Sequence, residues 1–104
     1  MRVNKVYSLL GLAARSRNVV SGEFATEKSV KAGSAVLVIV SEDASVNTVK
    51  LFSNMCKFYE VPMFRYGTKE ELGHAMGKEV RSSLAVTDEG FAKSLKMHLE
   101  ASEQ

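Results

Sequence analysis

The sequence has little of what marks a cross-linked, membrane-spanning or repetitive chain. It contains one cysteine, Cys56, and one proline, Pro62, in 104 residues. A single cysteine excludes an internal disulfide framework and is typical of a protein kept in a reducing cytoplasm. No apolar stretch reaches the roughly 20 residues that a membrane helix needs, and no charged start followed by a long apolar core indicates a secretory signal. Internal repeats and low-complexity tracts are missing too, so we expect a single domain over residues 1–104.

The sequence also has no large excess of charge of one sign. Fourteen lysines and arginines face twelve aspartates and glutamates, which gives a net charge of +2. This balance permits a nucleic-acid partner without requiring one, so the placement of the basic residues has to decide. Hydrophobic residues make up 45% and charged residues 25% of the chain. These fractions are typical of a soluble globular domain with an ordinary core.

An unbroken apolar run over residues 36–40 is the strongest structural signal. Its side chains do not alternate with polar ones, which predicts a central strand covered on both faces. Around it, helical and strand patterns alternate as αβαβαβαβα, an order typical of a three-layer α/β/α sandwich. Gly33 is expected to end the second helix, and Thr68 with Glu71 forms a capping box that starts the fourth. The tail from Ala101 is expected to fray.

The third helix has two candidate caps and one apolar stripe. Either Asp43 or Ser45 can accept a hydrogen bond from its first turn. The stripe is expected to face the sheet. Its residues are Val49, Phe52, Cys56 and Tyr59.

The second helix carries the most informative surface pattern. Phe24, Lys28 and Lys31 share one stripe at spacings of four and three residues. Two lysines cannot be buried cheaply without partners, so the stripe should lie near solvent with Phe24 at its rim. A helix that starts at Gly22 and presents an aromatic ring and two lysines suits a phosphate backbone and a base face. Lysines on an outer helical face are more often simply solvated, and that alternative stays open.

Other chemically capable residues have simpler explanations. Glu42 and Asp43 follow the central strand, where paired acids could do acid–base work or bind a metal, but a helix cap with a first-turn charge explains them better. Cys56 lies on an apolar stripe without basic neighbours, which predicts a buried thiol rather than a nucleophile. His74 and His98 lack metal-ligand spacing. The sequence therefore predicts no cofactor, no metal and no catalytic residue, and a small enzyme built on the acid pair is the weakest hypothesis.

A series of short segments stands in a distinctive order from about Val6 to Leu95. They are Ser21-Gly22-Glu23, Lys28, Gly33-Ser34-Ala35, Glu42-Asp43-Ala44-Ser45, Glu71-Leu72-Gly73, Gly77-Lys78 and Ala85-Val86. In this order the chain resembles the L7Ae/L30e superfamily of ribosomal proteins, and within it the small bacterial YlxQ-type members. The resemblance implies a sandwich on a four-stranded mixed sheet of order 1-4-2-3, with strand 4 antiparallel. This reversal would gather the loop over 77–83 and the start of the second helix into one cationic shelf.

The resemblance also implies a cytoplasmic, non-catalytic RNA-binding protein. Its partner would be a structured RNA, such as ribosomal or kink-turn RNA, with the ribosome or translation factors as further candidates. In the family, a glycine opening the second helix lets RNA approach, a lysine one turn on contacts phosphate or guanine, and the loop before the last strand packs on a flipped-out base. By position, the predicted RNA-binding residues are Gly22, Glu23, Phe24, Lys28, Lys31, Ser45, Val80 and Arg81.

One pair of positions departs from the family pattern. The RNA-binding members carry Asn-Glu where this chain has Phe24 and Ala25, and a ring and a methyl group cannot hydrogen-bond to base edges. The cations that remain are Lys28, Lys31, Arg81, Arg15 and Arg17. They suit backbone contact and stacking, which give less sequence selectivity and strong salt dependence. The alternative function is a protein-interaction module of the translation machinery, with Phe24 as an anchor in a partner's pocket.

Overall fold

The computed structural model describes residues 4–102 as five helices that alternate with four short strands. The helices are α1 (Lys5–Arg15), α2 (Glu23–Ala32), α3 (Val46–Tyr59), α4 (Lys69–Ala75) and α5 (Glu89–Ser102). The strands are β1 (Val19–Ser21), β2 (Leu37–Val40), β3 (Met63–Arg65) and β4 (Ser83–Val86). The predicted order of elements is confirmed. The tail from Ala101 was predicted to fray; α5 ends at Ser102, and residues 103 and 104 lie outside the described residues.

Local capping explains where the helices start and stop. Ser45 Oγ accepts the backbone N–H of Thr48 at 3.2 Å, so Ser45 is the candidate that caps α3. The predicted capping box of Thr68 and Glu71 starts α4. Gly33 ends α2 with a φ of +81°, a left-handed conformation that costs glycine little.

The direction of β4 determines the shape of one sheet edge. The strand order is β1-β4-β2-β3, with β4 antiparallel to both neighbours and β2 parallel to β3, as the resemblance implied. Because β4 is reversed, its first residues lie beside the ends of β1 and β2: Ser21 pairs with Leu84, and Val40 pairs with Ser83. The loop over residues 76–82, here called the entry loop, therefore opens at the same edge as the turn from β1 into α2.

Helices cover both faces of the sheet and make it the middle layer of three. Leu37 and Ile39 of β2 pack into the core formed with α1, α4 and α5. Val38 and Val40 point the other way and pack into the core formed with α2 and α3. All four residues of β2 are buried, as the continuous apolar run predicted.

The apolar stripe of α3 was predicted one residue too long. Phe52 and Cys56 are buried and Val49 is half-buried, but Tyr59 is 41% exposed and stacks edge-on against Phe58. The reason is length. At 14 residues, α3 is about 20 Å long, whereas the four-residue strand β2 spans about 13 Å. The last turn of α3 therefore extends past the strand it packs on.

Candidate nucleic-acid interface

Gly22 forms the turn between β1 and α2 at the centre of the predicted edge. Its φ of +96° and ψ of +155° lie in a region that glycine alone adopts readily. Its N–H donates to the Ser83 carbonyl at 2.9 Å, and its own carbonyl accepts the Thr26 N–H at 2.9 Å. Among the described residues, no atom lies within 4 Å of where a Cβ would stand. The backbone thus requires glycine here and leaves this turn open to a ligand.

Backbone hydrogen bonds to α4 fix the entry loop. The N–H of Lys78 donates to the Gly73 carbonyl at 2.8 Å, and the N–H of Arg81 donates to the Lys69 carbonyl at 2.9 Å. Gly73 permits this close approach, because a Cβ there would collide with the carbonyl of Glu79. The loop is therefore a fixed part of the edge.

Arg81 joins the entry loop to the end of β1. Its Nε donates to Ser21 Oγ at 3.0 Å, and its Nη1 donates to the Val80 carbonyl at 2.8 Å. A guanidinium carries more N–H donors than these two bonds use, so others remain for a ligand. Val80 beside it is 46% exposed. The structure thus places two of the predicted residues together and gives Arg81 a positioning role that the sequence did not reveal.

The outer face of α2 presents its stripe to solvent, as predicted. Phe24 is 79% exposed and Lys28 is also exposed. Lys31 Nζ lies 3.0 Å from Glu27 Oε1, and this is the one ion pair found within residues 4–102. Lys28 is therefore the cation of this stripe that has no carboxylate partner. The spacing of a glutamate four residues before a lysine is the signal that could have predicted the pair.

Ser45 and Glu23 belong to a hydrogen-bonded chain that links the starts of α3 and α2. Ser45 Oγ donates to Thr48 Oγ1 at 3.0 Å, and Thr48 Oγ1 in turn donates to Glu23 Oε1 at 3.4 Å. Both predicted residues lie at the edge beside Gly22. The Ser45 side chain is engaged within its own helix, α3, and the Glu23 side chain accepts a bond from α3, so both residues help to hold the shape of the edge.

Asp43 was a candidate cap for α3, but in the structure it caps α4. Its Oδ1 accepts the N–H of Lys69 at 2.9 Å, at the start of α4. Desolvation raises the pKa of Asp43, but hydrogen bonds, that of Lys69 above all, outweigh it and hold the pKa below its ordinary value. With Glu42 beside it, this carboxylate occupies the β2 side of the edge. The start of α2 and the entry loop meet as predicted, but the edge as a whole carries charges of both signs, because helix starts favour acidic caps.

Two of the predicted cations, Arg15 and Arg17, lie on the other side of the edge, along β1. Arg15 and Arg17 follow from the end of α1, and Lys78 comes from the entry loop. All three line one groove of about 320 Å³. Lys78 belongs to the loop that was predicted to bind RNA, but because it is distant from the two arginines in sequence, no local pattern indicated that the three share a groove.

A protein-family model matches nearly the whole chain. Residues 4–96 match the model of the ribosomal protein L7Ae/L30e/S12e/Gadd45 family. The chain belongs to this family. The RNA-binding protein YlxQ of Bacillus subtilis (strain 168) is 46% identical over 89 residues, which cover 86% of this chain and 89% of that protein. The RNA-binding protein YlxQ of Enterococcus faecium is 35% identical over 96 residues, which cover 92% of each.

Two solved structures share the fold. A protein with unknown function from Bacillus halodurans C superposes with a TM-score of 0.89 at 40% identity, covering 92% of this chain and 97% of that one. The Giardia lamblia 15.5kD RNA binding protein has a TM-score of 0.80 at 20% identity, covering 99% of this chain and 92% of that one. The predicted family, its YlxQ-type branch and the predicted fold are confirmed. The family and relatives' names denote ribosomal and RNA-binding proteins, not enzymes.

A second cleft lies between α1, α4 and the entry loop, and it shares Lys78 with the groove along β1. It measures about 620 Å³, and three glutamates and one lysine line it together with Tyr7 and His74. Its charge does not suit a phosphate ligand. Within residues 4–102, no three His, Cys, Asp or Glu side chains stand close enough to hold a metal. No helix in that range has the length and apolar character to cross a bilayer.

Proposed function

We propose that this protein binds structured RNA, without catalysis, at the edge formed by the start of α2 and the entry loop. One observation carries the proposal: the reversed β4 joins these two segments directly, through Gly22 to Ser83 and Arg81 to Ser21. The names of the two YlxQ relatives support RNA as the ligand class. The joined edge supports the location.

Each part of the edge suits one part of an RNA strand. The open backbone at Gly22 begins a helix, where N–H groups and the helix dipole favour a phosphate. Lys28 and the remaining N–H groups of Arg81 can neutralise further phosphates. Phe24 offers a ring on which an unpaired base can stack, and Val80 offers an apolar contact beside it.

The same residues set the selectivity that we propose. Phe24 and Ala25 provide no base-edge hydrogen bonds, and a good bidentate contact is worth roughly 1–3 kcal/mol of discrimination. Stacking still favours RNA with exposed bases over a straight duplex. We therefore propose a kink-turn-like or ribosomal RNA as the partner, bound with modest selectivity, in the cytoplasm and in contact with the ribosome or translation factors.

Titration with a kink-turn RNA, a straight duplex and a single strand at two salt concentrations tests the proposal. Lys28→Ala should weaken binding severalfold and make the slope of log K against log salt shallower by about 0.7–0.9, the effect of one lost phosphate contact. Lys28 is a cleaner target than Arg81, whose removal would also release the entry loop. Lys96→Ala removes the same charge from an exposed position on α5 and should change neither quantity.

Two outcomes would contradict the proposal. Wild-type protein that binds none of the three RNAs at low salt would overturn RNA binding itself. Equal losses from Lys28→Ala and Lys96→Ala would show that the α2 edge is not the site.

The exposure of Phe24 also favours a second function, that of a protein-interaction module of the translation machinery. A ring that is 79% exposed on a helix is the kind of side chain that anchors a partner's pocket. A partner captured after nuclease treatment, and lost with Phe24→Ala, would support this function. If nuclease releases the partner, RNA is the link.

A further inference from the structure

Three cations from distant parts of the chain share one groove on the free side of β1. Arg15 and Arg17 line it from the end of α1, and Lys78 lines it from the entry loop. All three are exposed. No carboxylate is among the residues that line the groove, and none of these cations takes part in an ion pair within residues 4–102. The lining of the groove therefore carries net positive charge, and Lys78 also borders the cleft lined by three glutamates.

The backbone of β1 adds donors to the same groove. In the sheet, β1 pairs with β4 alone and is an edge strand. Residues of an antiparallel strand alternately bond to the partner and point both backbone groups outward. Gly22 donates to Ser83, and Thr87 donates to Asn18, so residues 18, 20 and 22 face β4. The N–H groups of residues 19 and 21 consequently point toward the groove.

This combination suits a polyanion better than a peptide. A peptide could pair with the free edge of β1, but three residues offer too few hydrogen bonds for a stable added strand. Cations on an edge strand also discourage such pairing. Backbone N–H groups beside arginine and lysine side chains are, in contrast, common contacts to phosphate oxygens. The groove also meets the RNA edge proposed above at Ser21, which accepts the Arg81 hydrogen bond.

We propose that this groove binds the phosphate backbone of RNA that flanks the segment held at the α2 edge. Arg15, Arg17 and Lys78 contact phosphates there, and the outward N–H groups of β1 position the strand. The inference rests on the proposed function and enlarges the bound footprint by about three phosphates.

The test uses two RNAs that share one bound segment, of which only the longer carries a flanking stem. The variant Arg15→Gln/Arg17→Gln/Lys78→Gln should lose at least tenfold affinity for the longer RNA, with a salt slope shallower by about 2–3. It should lose far less affinity for the shorter RNA, which reaches only the α2 edge and the entry loop. A control, Lys57→Gln/Lys93→Gln/Lys96→Gln, removes three charges from exposed positions on α3 and α5 and should leave both affinities unchanged.

A charge-preserving variant shows whether the loss of affinity comes from the lost charges or from a folding defect. Arg15→Lys/Arg17→Lys keeps the charges and should keep the salt slope for the longer RNA. A groove variant that matches the control on the longer RNA, or loses equally on both RNAs, would overturn the inference. If wild type binds both RNAs and Lys28→Ala weakens them while the groove variant does not, this inference alone fails. If wild type binds neither RNA, the proposed function fails first.

Discussion

Replacing Gly73 with alanine should destabilise the protein, although alanine is the better helix former. Gly73 lies inside α4, where helix propensity alone favours alanine by about 1 kcal/mol. A Cβ at this position, however, would collide with the carbonyl of Glu79 and stand 3.1 Å from the backbone nitrogen of Val80. Both atoms belong to the backbone of the entry loop, so neither can rotate aside as a side chain would.

The size of the effect follows from these opposing contributions. Overpacking typically costs about 1–3 kcal/mol, and a collision with backbone belongs in the upper part of that range. After the gain in helix propensity, a net loss of about 1–2 kcal/mol remains. For a domain of about 100 residues, each kcal/mol lowers Tm by about 4–8 °C. Because the displaced loop carries Val80 and Arg81, RNA affinity should fall with stability.

Thermal and urea unfolding followed by circular dichroism measure this change. His74→Ala is the matched control, since His74 is the next residue of the same helix and its side chain is exposed. It should be neutral or stabilising by a few tenths of a kcal/mol. A Gly73→Ala protein as stable as His74→Ala would refute the close packing of the entry loop on α4.

Two titratable groups give predictions that are checked by pH and by labelling. Hydrogen bonds from the Thr68 N–H and then the Tyr7 hydroxyl hold the pKa of Glu71 below its ordinary value. The stability that Glu71 provides is thus fully present above the ordinary pKa of a glutamate and is lost as pH falls through the lowered pKa. The variant Glu71→Gln should therefore flatten that part of the curve of unfolding free energy against pH. A curve that the substitution leaves unchanged would contradict this role of Glu71. Burial raises the pKa of Cys56 to about 11. Iodoacetamide at pH 8 should therefore label Cys56 slowly in folded protein and rapidly in urea, and equal rates would argue against a buried thiol.

The positions of helices and strands could be predicted because their signals are local. The apolar run over 36–40, the capping box at Thr68 and the stop at Gly33 each act within a few residues. The direction of β4 is different, since Leu84 and its neighbours can pair with β2 in either sense. The path of the entry loop decides it. The residues of β4 do not determine the path of the entry loop, so only the family resemblance indicated that β4 is antiparallel to its neighbours.

The candidate site could be located from sequence more easily than its charges could be assigned. Gly22 and the outer face of α2 lie where the pattern placed them. The roles of Asp43 and Arg81 depend instead on Lys69 and Ser21, partners that are far away in sequence. A side chain that caps a distant helix or bridges two loops produces no periodic pattern in the sequence from which its role could be predicted. The mixture of charges along the edge could not be predicted for this reason.

The charge along the sheet edge follows the strand order and favours one path for a bound RNA. Arg17 lies beside β1 and Arg81 beside β4, whereas Glu42 and Asp43 follow β2. The β2 side carries both signs, and Arg65 there donates to two backbone carbonyls of the β2–α3 loop. A phosphate backbone that leaves the start of α2 is thus attracted more strongly along β1 than toward β2. Both proposals depend on this one gradient. A complex in which the RNA backbone crosses the β2 side would contradict them together.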